Sequence, residues 1–382
     1  MLAPQPLGLY IHLPWCVSKC PYCDFNSHAL KGELPAEDYL EALMLDLQAD
    51  LPIAWGRTVS TVFFGGGTPS LFSADQIDRI LCQVRSLVQL SPEAEITLEA
   101  NPGTIEYDSF SSYRHAGINR VSLGAQSFDD DALRAIGRIH GSDEIQRAVE
   151  SLKSAGMDNF NIDLMYGLPG QTVDGAVNDV MQALACIPTH VSHYQLTLEP
   201  NTRFAASPPK LPGDDIQWEM QEECSALFVE SGFQGYEISA WSRPDKVCRH
   251  NLNYWRFGDY LGIGAGAHSK ITLNAESRIV RLAKHRHPKQ YMDARNNREF
   301  RAEMRALSPE ERVFEYFLNR LRLSEPIKFE EYSGCTGLDP NHVAPMIESA
   351  VNKGLLEVHQ DCWVQTELGR RFNNDLQATF LK

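Results

Sequence analysis

The 382-residue chain has no run of 18 or more uncharged apolar residues, so nothing in it reads as a membrane span. Positive charge is scarce. Lys and Arg total 35 against 50 Asp and Glu, a net of −15. Nucleic-acid and anionic-lipid binders neutralise phosphate with clustered cations, so a general role of that kind is excluded and no nucleic-acid partner is expected. Met1 to Tyr10 lack the basic start and long apolar stretch of a signal peptide, which points to the cytoplasm. There is no low-complexity tract and no coiled-coil heptad run. An odd count of nine cysteines in a reducing compartment does not make a disulfide framework, so metal or redox chemistry is expected instead.

What is present is ordinary globular material, with 43% hydrophobic and 22% charged residues. The length exceeds a single core, so one large domain with a smaller appendage is expected. Strands are predicted at Gly8–Trp15, Thr61–Phe64, Glu95–Ala100, Arg120–Ala125, Asn159–Met165 and Val191–Leu198. Helices are predicted between and after them, at Ala36–Leu51, Ser73–Val88, Tyr107–Ala116, Ser142–Ala155, Thr172–Leu184 and Asp214–Ser231. In the first, Tyr39, Leu40, Leu43, Leu47 and Leu51 share one helical face. Gly117, Gly156 and Gly232 each follow a helix, where a left-handed residue is expected.

Six βα units in series predict an α/β fold, a partial TIM-like (β/α)6 barrel over residues 1–240. Residues 241–300 read as a connecting region, and 301–382 as a mostly helical, winged-helix-like domain. In that domain, helices at Val313–Leu323 and Asn341–Lys353 precede a hairpin, Leu355–Val364, turning at Gln360–Asp361. Residues 308–382 carry 8 Lys and Arg against 12 Asp and Glu, which argues against DNA binding. Pro200–Pro212 reads as a surface loop or lid.

Chemistry in parallel α/β folds sits at strand C-termini. The unusual residues fall there: Cys16 to Cys23 after strand one, Gly65–Pro69 after two, Asn101–Gly103 after three, Gln126 after four and Gly167–Gly170 after five. Cys16, Cys20 and Cys23 form C-x3-C-x2-C, whereas Cys82, Cys186, Cys224, Cys248, Cys335 and Cys362 are scattered. Thiolates suit iron–sulfur clusters or zinc. A structural zinc site wants four ligands, and His12 and His28 are the nearby candidates for a fourth. Three thiolates holding a [4Fe–4S] cube leave one iron open to a small molecule.

C-x3-C-x2-C after the first strand, with GGGTP after the second, resembles the radical S-adenosylmethionine superfamily. The run Tyr10 to Cys16, with Glu99 to Gly103, Gly124 to Phe128, Gly137 to His140 and Asn161 to Met165, is similar to its coproporphyrinogen-oxidase-like branch. The resemblance covers nearly the whole chain. It implies a [4Fe–4S] cluster on Cys16, Cys20 and Cys23, fed by an electron donor, whose open iron chelates the methionine moiety of S-adenosylmethionine. It further implies that Gly65, Gly66 and Gly67 let backbone groups approach that ligand, with Thr68 adding a hydroxyl. Glu99, Gln126 and Asp163 would meet its amino and ribose hydroxyl groups, and Arg138 a carboxylate. Tyr10 and Tyr22 would border it. Individually, Glu99 and Asp163 also read as helix caps, and the glycines as tight turns.

Within the branch, the coproporphyrinogen III oxidases have a further cysteine two residues after the third; this chain has Phe25. Those oxidases also carry an N-terminal extension, which the chain is expected to lack. His250-Asn-Leu-Asn-Tyr254-Trp255 instead resembles the H-N-x-x-Y-W motif of the branch's heme-chaperone family. That implies a protein that binds heme and passes it to acceptor hemoproteins, membrane-bound respiratory enzymes among them, from the cytoplasm or the inner face of the cell membrane. His250 would ligate heme iron, with Cys248 as competitor and Tyr254 and Trp255 as flat surfaces. Without the resemblance, His250 reads as a hydrogen-bonded structural residue. A homodimer is a further implication of family. Coproporphyrinogen III dehydrogenase, or a methyltransferase of the same branch, is the alternative activity. Arg278, Arg281, Lys284, Arg286 and Lys289, with His285 and His287, read as a solvated basic loop, or as a partner for heme propionates or an acidic protein.

Overall fold

Leu7–Leu13 and Phe160–Tyr166 bury nearly every side chain, the pattern of strands covered on both faces. In the computed structural model, which describes residues 2–103 and 109–381, they belong to one 12-stranded sheet. From edge to edge its strands are Arg301–Ala306, Arg278–Lys284, His268–Leu273, Asp259–Ile263, Leu7–Leu13, Thr58–Gly66, Gln89–Ala100, Arg120–Gln126, Phe160–Tyr166, His190–Gln195, Ala240–Ser242 and Gln234–Glu237. The six predicted strands are consecutive and parallel, the core of the partial barrel. A seventh parallel strand, Asp259–Ile263, adds on the other side of Leu7–Leu13, and antiparallel strands follow it.

The helices lie where the periodicity puts them: Ala36–Ala54, Ala74–Leu87, Phe110–Ala116, Ser142–Ser154, Val173–Ala185 and Asp214–Glu230. Tyr107, predicted to open the third, lies outside the described residues. Tyr39, Leu43 and Leu47 of the first are fully buried in the main core. Gly117, Gly156 and Gly232 all have positive φ. A capping box of Ser73 and Gln76 starts the second helix.

Beyond residue 240 the chain continues the sheet. The solvated loop expected over the basic island is instead the strand Arg278–Lys284, followed by a short helix Pro288–Asp293. Lys284 is fully buried, bonded to Asp46 and, at 2.6 Å, to Asp50. Those carboxylates lie on the core face of Ala36–Ala54, a helix with no Lys or Arg of its own; their partner comes from a strand over 230 residues away. Arg301 reaches the same Asp50 at 2.6 Å.

The C-terminal module has helices Pro309–Arg320, Phe329–Thr336 and Ala344–Asn352 and a three-stranded sheet, Ile327–Lys328, Cys362–Gln365 and Leu356–Val358. Its core takes in Leu2, Phe257 and Ile279 from the rest of the chain. Between Pro200 and Pro212, the short helix Arg203–Ala206 docks on the cysteine loop: the Phe204 amide donates to the Pro21 carbonyl at 3.0 Å.

Candidate functional site

A β-strand sends alternate side chains to one face. Tyr10 and His12, Phe63 and Gly65, Thr97 and Glu99, Ser122, Gly124 and Gln126, Asn161, Asp163 and Met165, and Ser192 and Tyr194 are such alternations. Most of these residues, with the cysteine loop and His250, line one cavity of about 540 Å³. All thirteen residues picked from the sequence lie on it: Cys16, Cys20, Cys23, Tyr10, Tyr22, Gly66, Gly67, Thr68, Glu99, Gln126, Arg138, Asp163 and His250. Sequence reasoning missed Ser122, Asn161, Ser192, Tyr194 and Arg120 on the same walls. Arg120, Ser122 and Asn161 could have been found by stepping in twos along the predicted strands from Gln126 and Asp163, whereas the strand of Ser192 and Tyr194 held no picked residue to step from.

The cysteine loop is anchored on both sides. Trp15–Cys16 pairs with His28–Ala29, and Lys19 donates to the carbonyls of Phe25 and Ser27 at 3.0 and 3.2 Å. Burial pushes the Cys16 thiol up, and the nearby Cys23 and Cys20 add to this. Arg138 Nη1 lies 3.6 Å from Cys20 Sγ, and Nη2 donates to the Gly124 carbonyl at 2.7 Å. Its Nε is buried and, among the described residues, has no partner. Among the described residues no three His, Cys, Asp or Glu side chains converge on a single point. Three half-buried thiols on one rim beside a guanidinium fit a larger, anionic thiolate-bound cluster.

The glycine loop is shaped by its own chain. A Cβ on Gly66, where φ is +118°, would lie 2.5 Å from the His12 ring. On Gly67 it would lie 2.4 Å from the Trp15 carbonyl oxygen. The amides of Gly66, Gly67 and Thr68 donate to Glu99 Oε2, Leu13 O and Trp15 O at 3.1, 2.8 and 2.7 Å. These three amides hold the second strand's end against the first.

Glu99 and Asp163 face the cavity together. Burial, with Asp163 nearby, pushes the Glu99 carboxyl up to about 8 despite the Gly66 amide. Burial also raises Asp163, against hydrogen bonds from Asn161 at 2.8 Å and Ser122 at 3.1 Å. Two buried carboxyls with, among the described residues, no cation bonded to them make a site that favours a cationic ligand. Gln126 ends its strand at φ +73°, a strained conformation for a non-glycine residue, held where it faces the cavity.

His250 lies on the helix Arg249–Trp255 and is 1% exposed. Its Nδ1 lies 2.8 Å from Thr61 Oγ1 and its Nε2 2.8 Å from Tyr254 Oη, so both ring nitrogens are engaged. Burial, with Arg120 nearby, lowers it to about 3, leaving a neutral ring. Cys248 is fully buried, its thiol pushed up to about 11 by that burial, and it faces Glu95 rather than either cavity. Trp255 is capped by the Arg322 guanidinium, 4.2 Å from its ring centre. A second cavity of about 840 Å³ adjoins the first and shares Tyr10, Phe25, Gly66, Glu99 and Tyr254 with it.

Residues 10–182 match the Radical SAM superfamily model, and 307–372 the HemN C-terminal domain. The chain is 48% identical over 381 residues to a protein of Escherichia coli (strain K12) named heme chaperone HemW, covering 100% of both. It is 47% identical to the heme chaperone HemW of Haemophilus influenzae, over 98% of each chain, and 30% identical to that of Bacillus subtilis, over 97% of this chain and 98% of that one. Among solved structures, the coproporphyrinogen III oxidase HemN of Escherichia coli superposes with a TM-score of 0.84 at 25% identity, covering 99% of this chain and 90% of that one.

Proposed function

This chain belongs to the heme chaperone HemW family of radical SAM proteins, and from that premise we infer that it holds heme and hands it to acceptor hemoproteins. The family brings a [4Fe–4S] cluster and S-adenosylmethionine. Cys16, Cys20 and Cys23 would hold the cluster, which when bound supplies an open iron and an electron. Glu99 and Asp163 would receive the cationic part of S-adenosylmethionine, and the helix Arg203–Ala206 closes the loop beside Tyr22. Heme recipients include membrane-bound respiratory enzymes, reached from the cytoplasm at the inner face of the membrane. Among the described residues no helix is long and apolar enough to cross a membrane. A homodimer is part of the same reading.

Phe25 carries the choice of function. It is 62% exposed at the junction of the two cavities, where the resembling oxidases have a cysteine. A phenyl ring there offers an apolar face and no thiol. Oxidative decarboxylation is the second reading, favoured by the superposition on HemN. The test loads the anaerobic protein with isotopically labelled heme and mixes it with heme-depleted respiratory membranes. Transfer faster than from an equal concentration of free heme supports the chaperone reading; equal rates contradict it.

A further inference from the structure

We propose that His268, not His250, is the heme-iron ligand of this chain, and that heme lies in the 840 Å³ cavity with a propionate on Arg286. The inference rests on the heme-binding reading above and concerns where that heme sits.

The cavity has the size of a small-molecule site. Its floor is one face of the antiparallel extension of the sheet. Register places Tyr260 beside Lys270, Lys270 beside Arg281, His268 beside Ala283, and Ala283 beside Glu303. Most polar groups on that face are spent. Lys270 is held by Asp259 at 2.8 Å, and Arg281 by Glu315 and Tyr260. Glu303 pairs with Arg305 at 3.3 Å.

Three histidines line the two cavities. His12 is engaged at both nitrogens, by Tyr10 Oη at 3.0 Å and the Asn26 carbonyl at 2.9 Å. His250 is engaged at both and 1% exposed. His268 is exposed, and among the described residues its ring makes no hydrogen bond. Its strand neighbour is the methyl of Ala283, which leaves room beside the ring. Partial burial, with Arg281 and Arg286, lowers its pKa, so the imidazole is neutral at pH 7 and has a lone pair to give a metal.

The other needs of an iron porphyrin are met around it. Tyr254 and Trp255 present aromatic surface to the cavity, and Phe25 stands at its junction with the cofactor cavity. Arg286 is exposed and, among the described residues, in no ion pair, so its fork is open to a carboxylate. Tyr10, Gly66 and Glu99 are shared walls, so bound heme would border the S-adenosylmethionine cavity.

The experiment titrates hemin into anaerobically reconstituted wild type, His268→Ala, His268→Met and His250→Ala, following the Soret band and the low-spin ferric EPR signal. Circular dichroism and cluster absorbance report folding. The expected result is at least about a tenfold loss of affinity in His268→Ala, with loss of the imidazole-type signal and its return on adding free imidazole. His268→Met should bind with an altered spectrum, and His250→Ala should keep the imidazole-type signal whatever its affinity. Equal affinity and spectra for wild type and His268→Ala would overturn the inference while leaving heme binding intact. Absence of heme binding by the wild type would overturn the chaperone reading itself, and this inference with it.

Discussion

Nη1 of Arg138 lies 3.6 Å from the sulfur of Cys20, and its other terminal nitrogen is fixed on the Gly124 carbonyl at 2.7 Å. A permanent positive charge is thereby held beside a proposed cluster thiolate. It stabilises the more negative, reduced state of a cluster bound there. Arg138→Gln should lower the midpoint potential by tens of millivolts, where about 59 mV is a tenfold change for one electron. An EPR-monitored redox titration measures it, and an unchanged potential contradicts the charge coupling.

Glu99 links the glycine loop to the ligand cavity and carries a cost. Its folded pKa of about 8 lies above the usual carboxyl value of 4.5, so the folded state holds the proton longer. Stability from this group therefore falls as pH rises from about 4.5 to about 8. Glu99→Gln should stabilise the apo-protein at pH 8 by ~2–4 kcal/mol and flatten that pH dependence. It should also weaken S-adenosylmethionine binding. Denaturant unfolding at pH 5 and pH 8, with calorimetric binding, tests both; a variant of lower stability at pH 8 contradicts the account.

Gly66 has no room for a side chain, since a Cβ would sit 2.5 Å from the His12 ring at a φ of +118°. Gly66→Ala should cost about 3 kcal/mol or more and abolish S-adenosylmethionine binding. Thermal melting and equilibrium dialysis check this. A stable, binding-competent Gly66→Ala protein would show that the loop is freer than its packing indicates.

Lys284 is the buried cation for Asp46 and Asp50, and burial holds Asp46 up at about 6 even with that partner. Lys284→Met leaves two buried carboxyls facing Arg301, Tyr291 and the Gly264 amide, with a single cation between them. A loss of about 3–5 kcal/mol is expected, restored in part by Asp46→Asn in the same chain. Unfolding by guanidinium measures it. A neutral single variant would mean the ion pair does not clamp the sheet extension to the first helix.

Much of this was readable in the chain. Repeated βα units gave the parallel strands from Leu7 to Gln195, and the placement of Cys16–Cys23, Gly65–Pro69 and Gln126 at strand ends located the cavity. Long-range pairing was not readable, because it leaves no local signal. Asp259–Ile263 joins Leu7–Leu13 across some 250 residues, and Lys284 looked solvated because its carboxylates are distant in sequence. The state of a histidine is hidden for the same reason. Thr61 engages His250 from 189 residues away, while His268, in no motif, is left open.

The central claim is that this protein carries heme rather than oxidises coproporphyrinogen. One anaerobic reconstituted sample, with cluster and S-adenosylmethionine present, should be titrated with heme and then supplied with coproporphyrinogen and reductant. The account predicts saturable heme binding and no protoporphyrinogen. Robust protoporphyrinogen formation, with no saturable heme binding, would contradict it.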